Sequence, residues 1–237
     1  MFQPFNEVCY FWGMEMKWIE KEQARIEQQL SNWLSNGERI CMSSSFQTHS
    51  IPLLHLISTV APKVDVLFLN TGFHFPETLE FRDEICQQFG VEPILVESFI
   101  SKNFQRGQSG LLPFAEDPDR CCFLNKTQPM KEAMTGYDIW ISGIRRDQNA
   151  NRREMPELIT TPDGKLRYHP ILDWNSKMIH EYRKAYDLPT HPLEAKGYLS
   201  IGCEPCTQKF DLENNRDGRW QGMKKSECGL HTDLVSK

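Results

Sequence analysis

Between residues 16 and 34 (MKWIEKEQARIEQQLSNWL) the apolar positions Ile19, Ile26, Leu30 and Leu34 recur at helical spacing among many charges. That rhythm predicts an amphipathic helix. It then changes. RICMSSS reads as a short buried strand, SIPLLHLISTV as a helix, VDVLFLN as a second strand, PETLEFRDEICQQFG as a helix closed by Gly90, and VEPILVE as a third strand. After a further helix near Lys126 to Met134, YDIWISG supplies another strand. Strands that alternate with helices at such short intervals predict a mainly parallel sheet covered on both faces. The expected fold class is α/β, a doubly wound sheet flanked by helices.

Beyond Gly143 the pattern loosens, because Pro156, Pro162, Pro170, Pro189, Pro192 and Pro205 interrupt it. One helix is predicted from Ser176 to Tyr186 and a small hairpin around TTPDGKLRYHP, in a half that decorates the sheet. The expected parse is an N-terminal helical segment (1–35), one α/β domain (36–208) and a mobile tail (209–237).

At 237 residues the chain suffices for one large domain with a substantial core. No apolar run reaches the roughly 18 residues of a membrane span, and the start shows no basic leader followed by an apolar stretch. A soluble, unexported, cytoplasmic protein without membrane contacts is expected. The net charge of −5 argues against a general affinity for nucleic acid. Charge is nevertheless concentrated locally: Arg145, Arg146, Arg152 and Arg153 fall in GIRRDQNANRR, and Arg216, Arg219, Lys224 and Lys225 crowd the tail. These are candidate anion sites.

Eight cysteines without an export signal point to metal binding or catalysis rather than to disulfides. Cys9, Cys41 and Cys86 sit in apolar or helical surroundings and read as ordinary small residues. Cys121, Cys122, Cys203 and Cys206 form a vicinal pair and a C-x-x-C, a set of four thiolates that suits an iron–sulfur cluster or a structural zinc. Vicinal side chains diverge, which favours the separate corners of a [4Fe-4S] cluster over one zinc ion. A thioredoxin-like role for GCEPC is disfavoured by context, since only a polar tail follows. The serines Ser43, Ser44 and Ser45 follow the first strand, where small side chains and a helix start can receive a phosphate, although such a turn can also be a simple cap. Cys228 is a thiol on a polar tail with His231 three residues on; the cations nearby in sequence favour its thiolate, although taken alone such a cysteine also reads as an incidental free thiol.

LFLNTGFHFPETLEF, the CC pair with Lys126 four residues past Cys122, SGIRRDQNANR, GCEPC, NNRDGRW and the terminal ECGLH occur in one order. Together they resemble the assimilatory adenylyl-sulfate (APS) and phosphoadenylyl-sulfate (PAPS) reductases, which are related to the PP-loop adenine-nucleotide hydrolases. The resemblance implies that Cys228 attacks the sulfur of the sulfonucleotide and holds sulfite as an S-sulfocysteine. It also implies that thioredoxin or glutaredoxin releases that sulfite, and that Cys121, Cys122, Cys203 and Cys206 hold a [4Fe-4S] cluster. Ser43, Ser44, Ser45, Lys126, Arg145, Arg146, Arg216, Arg219 and His231 become the expected substrate-binding residues. SSSFQTHS departs from the PP-loop pattern S-G-G-x-D-S, which counts against ATP as substrate. Its Ser-Ser-Ser-Phe resembles the PAPS-type enzymes, whereas the four cysteines resemble the APS type. APS is the favoured substrate and PAPS the alternative. A PP-loop sulfurtransferase and a redox-sensing iron–sulfur protein are the more distant rivals, and a homo-oligomer stays open.

Overall fold

The structure is a computed structural model that describes residues 5–161, 163–209 and 229–230, with side chains from residue 17 onward. Six strands form one sheet: β1 (Ile40–Ser43), β2 (Asp65–Leu69), β3 (Ile94–Val96), β4 (Ile139–Ser142), β5 (Leu158–Thr160) and β6 (Leu166–Tyr168). Their order is β3-β2-β1-β4-β6-β5. Every neighbouring pair is parallel except β5 and β6. The helices are α1 (Phe5–Ser35), α2 (Ile51–Val60), α3 (Pro76–Phe89), α4 (Pro113–Glu116), α5 (Pro118–Cys122), α6 (Gln128–Ala133), α7 (Ala150–Arg153) and α8 (Ser176–Ala185).

Side chains alternate across the sheet with a period of two, as a pleated strand requires. Ile40, Met42, Val66, Phe68, Ile139 and Ile141 pack on one face, into a core shared with Ile26 and Leu30 of α1, Leu54 of α2, Phe81 of α3 and Tyr182 of α8. Cys41, Leu67 and Trp140 face the other way, onto Met130 of α6 and Met134. Burial on both faces explains why the central strands are apolar without interruption. The helix α3 ends where expected, at Gly90, whose left-handed φ of 65° lets its amide cap the Cys86 carbonyl. Among the described residues no helix is long and apolar enough to cross a membrane.

Three features differ from the sequence reading. The hairpin around residues 158–168 forms, but it extends the sheet instead of decorating it, because β6 pairs in parallel with β4. Arg167 in its centre masked the strand pattern. Helix α1 begins at Phe5, well before Met16. The serine stretch does not open a helix directly: a loop and a 3-10 turn (Thr48–Ser50) precede α2, and Phe46 takes a left-handed φ of 52° with its ring fully buried against Phe68. That conformation is costly for a non-glycine residue, and the packing of the ring holds it in place.

The docking of α1 rests on its buried stripe. Truncating Ile26 to Ala removes atoms that no water can replace, and is expected to lower stability by about 2–4 kcal/mol. The exposed neighbour Glu27→Ala should change it by less than about 0.5 kcal/mol in the same urea titration.

Candidate active site

The chain leaves β1 toward β2 on one side, and continues from β4 toward β6 on the other. The carboxyl ends of β1 and β4 thus diverge, and a crevice opens between them, the position at which α/β sheets hold ligands. It contains a cavity of about 880 Å³ whose wall includes Ser43, Ser44 and Ser45 after β1, Thr71 and His74 after β2, Lys126, Ser142 and Arg145 at the end of β4, Arg152, Cys203 and Leu230.

Arg145 is 1% exposed. Its Nε donates to Asp147 Oδ1 at 3.0 Å and its Nη2 to Ser176 Oγ at 3.4 Å, while Ser176 N donates to Asp147 Oδ2 at 2.8 Å. Nη1 is buried with no hydrogen-bond partner among the described residues. A guanidinium clamped on one edge, with a free N–H edge in a cavity wall, is built to receive an anion. His49 and Lys126 line the same space. The enclosing wall, and then the Arg145 cation, hold the His49 imidazole below its ordinary pKa. Ser43 Oγ accepts from Trp140 Nε1 at 2.9 Å, and Ser44 Oγ accepts from the Phe46 amide at 3.2 Å. These bonds fix the loop.

Arg146 is placed differently from the expectation. Its Nε donates to Asp173 Oδ1 at 2.6 Å and its Nη1 to the Arg153 carbonyl at 2.7 Å, so it ties the α7 turn to the loop before α8 and contributes nothing to the cavity wall. Arg152, which the sequence placed in the basic cluster but not among the expected substrate-binding residues, lines the cavity instead. Cys228, His231, Arg216 and Arg219 lie outside the described residues.

The cysteines come together from two directions. Cys121 and Cys122 end α5, and a π-helical turn (Phe123–Thr127) follows at once, before α6. Cys203 precedes and Cys206 ends a 3-10 turn (Glu204–Cys206) closed by the Thr207 hydroxyl, which donates to the Cys203 carbonyl at 2.9 Å. Cys121, Cys122 and Cys203 are buried. Burial, and then the neighbouring Cys122 and Cys203, push the Cys121 thiol up to about 11. Cys122 and Cys203 thus lie within electrostatic reach of Cys121, and a bound cationic metal group would reverse their effect on it. No three His, Cys, Asp or Glu side chains among the described residues converge closely enough for a single ion. The donor set is nevertheless chemically that of a four-thiolate cluster.

Several supporting residues went unnoticed in the sequence. Thr71 Oγ1 lies 3.3 Å from Cys203 Sγ. Asn125 and Gln105, both fully buried, exchange amide hydrogen bonds of 2.8 and 2.9 Å, and Asn125 Nδ2 also donates to the Cys121 carbonyl at 3.0 Å. Lys102 donates to Asn125 Oδ1, with its ammonium 4.6 Å from the centre of the Phe73 ring. Burial lowers its pKa, against the pull of Cys121 and Cys203. Gly72 makes room for it: with φ at 71°, an added Cβ would stand 3.0 Å from Lys102 Cε. Asn125 sits between the CC pair and Lys126, and Thr71 inside LFLNTGFHFPETLEF, but neither residue type declares such a task.

Residues 39–209 match the phosphoadenosine phosphosulfate reductase domain. The chain belongs to that family. An adenosine 5'-phosphosulfate reductase of Rhodococcus erythropolis is 42% identical over 182 residues, 76% of this chain and 73% of that protein. Two solved structures share the fold of this phosphoadenosine phosphosulfate reductase domain. One is a PAPS reductase from Candida auris in complex with phosphate (TM-score 0.61, 21% identity, covering 75% of this chain and 88% of that one). The other is a U34-tRNA thiolase from Methanococcus maripaludis with its [4Fe-4S] cluster (TM-score 0.52, 12% identity, covering 75% and 67%).

Behind the cavity, His169 Nδ1 lies 2.8 Å from Ser142 Oγ. Burial, and then the Arg167 cation, bring its pKa from 6.5 down to about 3. The unfolded chain therefore takes up this proton first as the pH falls, and stability declines from about pH 6.5 toward pH 3. His169→Gln should lose less stability than wild type between about pH 7 and pH 5, as read from urea midpoints at the two values.

Proposed function

We propose that this chain reduces adenosine 5'-phosphosulfate to sulfite and AMP in assimilatory sulfate reduction, with Cys228 as nucleophile and a thioredoxin-type dithiol protein as reductant. Family membership and relatives named adenosine 5'-phosphosulfate reductase support the reaction. One observation carries the site: the serine loop, Lys126, Arg145, Cys203 and Leu230, which is two residues past Cys228, share a single cavity. An anion seat, a cluster thiol and the chain flanking the nucleophile are thus neighbours.

In this reading Arg145 Nη1, Lys126 and the serine loop bind the phosphosulfate. Arg216, Arg219 and His231 from the tail complete the anion site. The Cys228 thiolate attacks the sulfur, the S–O bond to phosphate breaks, and AMP leaves with the electron pair. Charge grows on that phosphate as the bond breaks, where fixed guanidinium donors contribute most. One thiolate of the reductant then attacks Cys228 Sγ, and sulfite departs with the S–S electron pair. The second thiol resolves the mixed disulfide, so the partner ends oxidised and Cys228 returns as a thiol.

Cys121, Cys122, Cys203 and Cys206 would hold a [4Fe-4S] cluster. When bound, that group supplies the positive iron corners that ionise the four thiols and join the α5 segment to the 203–206 turn. The Thr71 hydroxyl, the Asn125–Gln105 amide pair and Lys102 keep those thiols oriented.

Sulfite release from APS and from PAPS, assayed side by side with reduced thioredoxin, is expected to favour APS. Cys228→Ser should bind nucleotide yet show no added sulfite mass in intact-protein spectra, and an undiminished adduct would remove Cys228 from the mechanism. Arg145→Ala should lower kcat/KM for APS by about a hundredfold or more. Cys203→Ser should lose iron and acid-labile sulfide together, and retention of both would exclude this cysteine as a ligand.

A further inference from the structure

Arg167 is an unusual residue for its place. It lies in the middle of β6, directly opposite Trp140 of β4, and is 2% exposed. A buried cation costs more than an apolar residue of similar size at a site that needs only filling. Burial, and then Arg152, draw its pKa down to about 10, which still leaves it charged at neutral pH.

Its contacts have a direction. The guanidinium carbon stands 4.2 Å from the centre of the Trp140 ring, and Nη2 donates to the Leu230 carbonyl at 3.3 Å. The Leu230 side chain packs against the cluster of Cys41, Leu67, Val96, Met130, Met134 and Trp140. Gly229, just before it, has a φ of 85° that favours glycine. The Trp140 indole is itself pinned by Ser43 of the serine loop. One ring thus carries the floor of the anion site on its N–H, and on its face the cation that grips the chain two residues beyond Cys228.

We propose that Arg167 is a positioning residue, which docks the Gly229–Leu230 dipeptide at the carboxyl end of the sheet and so sets where the adjoining Cys228 thiol is presented. The apolar seat supplies the attraction and the charge-assisted bond supplies the register. The second half of the proposal rests on the reading of Cys228 as nucleophile.

Limited trypsinolysis of the full chain after Lys224 and Lys225, followed by mass spectrometry, tests the anchor without reference to turnover. Arg167→Lys and Leu230→Ala should each release the terminal fragment about tenfold faster than wild type, the factor carried by one such bond or one partly buried leucine. The double variant should be no faster than either single one. Both single variants should slow formation of the sulfite adduct while AMP affinity holds. Should Arg167→Lys fail to fold, Leu230→Ala still decides, because its side chain lies at the far end of the contact. Release from Leu230→Ala at the wild-type rate would overturn the proposal. If release accelerates while Cys228→Ser still turns over, the anchor stands and the nucleophile reading falls.

Discussion

The structure depends on the divergence of the chain at β1 and β4. A parallel sheet covered on both faces has no room for polar chemistry within its layers, so functional groups are driven to the carboxyl edge of the strands. Where one crossover turns toward β2 and the next toward β6, the edge parts. The serine loop, Arg145 and Lys126 all stand around that gap. The layers on either side supply rigidity: the Ile26, Phe68 and Ile141 core beneath one face, and the Cys41, Met130 and Trp140 cluster beneath the other.

Several of the buried polar groups here are held in company. Asp147 holds Arg145, Trp140 stacks under Arg167, and Asn125 and Gln105 satisfy each other while bracing the chain at Cys121. Such networks are worth most when complete, since a single missing partner leaves a desolvated group behind. Around the two cysteine segments, which share no secondary structure, such bonds reach Cys121 through Asn125 and Cys203 through Thr71.

Periodicity made the βαβαβ half legible, because Ile40–Met42, Val66–Phe68 and Ile139–Ile141 are uninterrupted apolar runs between helices. The later strands were not read as part of the sheet: each spans only three residues, and the cation in β6 breaks the pattern. For the site, quoted motifs pointed to the serine loop, Arg145, Lys126 and Cys203, which line one cavity, and to the three further cysteines expected to act with Cys203. Arg146 and Arg152 could not be told apart in sequence, since which of two nearby guanidinium groups faces a cavity depends on the turn at residues 146–148. Lys102, 19 positions before Cys121, had no local signal at all, because its role depends on a fold-level approach.

The π turn at Phe123–Thr127 takes in one residue more than an α turn would over nearly the same rotation. The helices before and after it therefore keep the phase of one continuous helix, and the added residue is spent on the bulge itself. That bulge serves two places with adjacent side chains: Asn125 meets Gln105 and the Cys121 carbonyl, and Lys126 lines the cavity. Deleting one residue there would leave Cys121 and Cys122 close to their present orientation, yet would take one of those two neighbours from its post. The exposed Phe123 stands outside that division of labour.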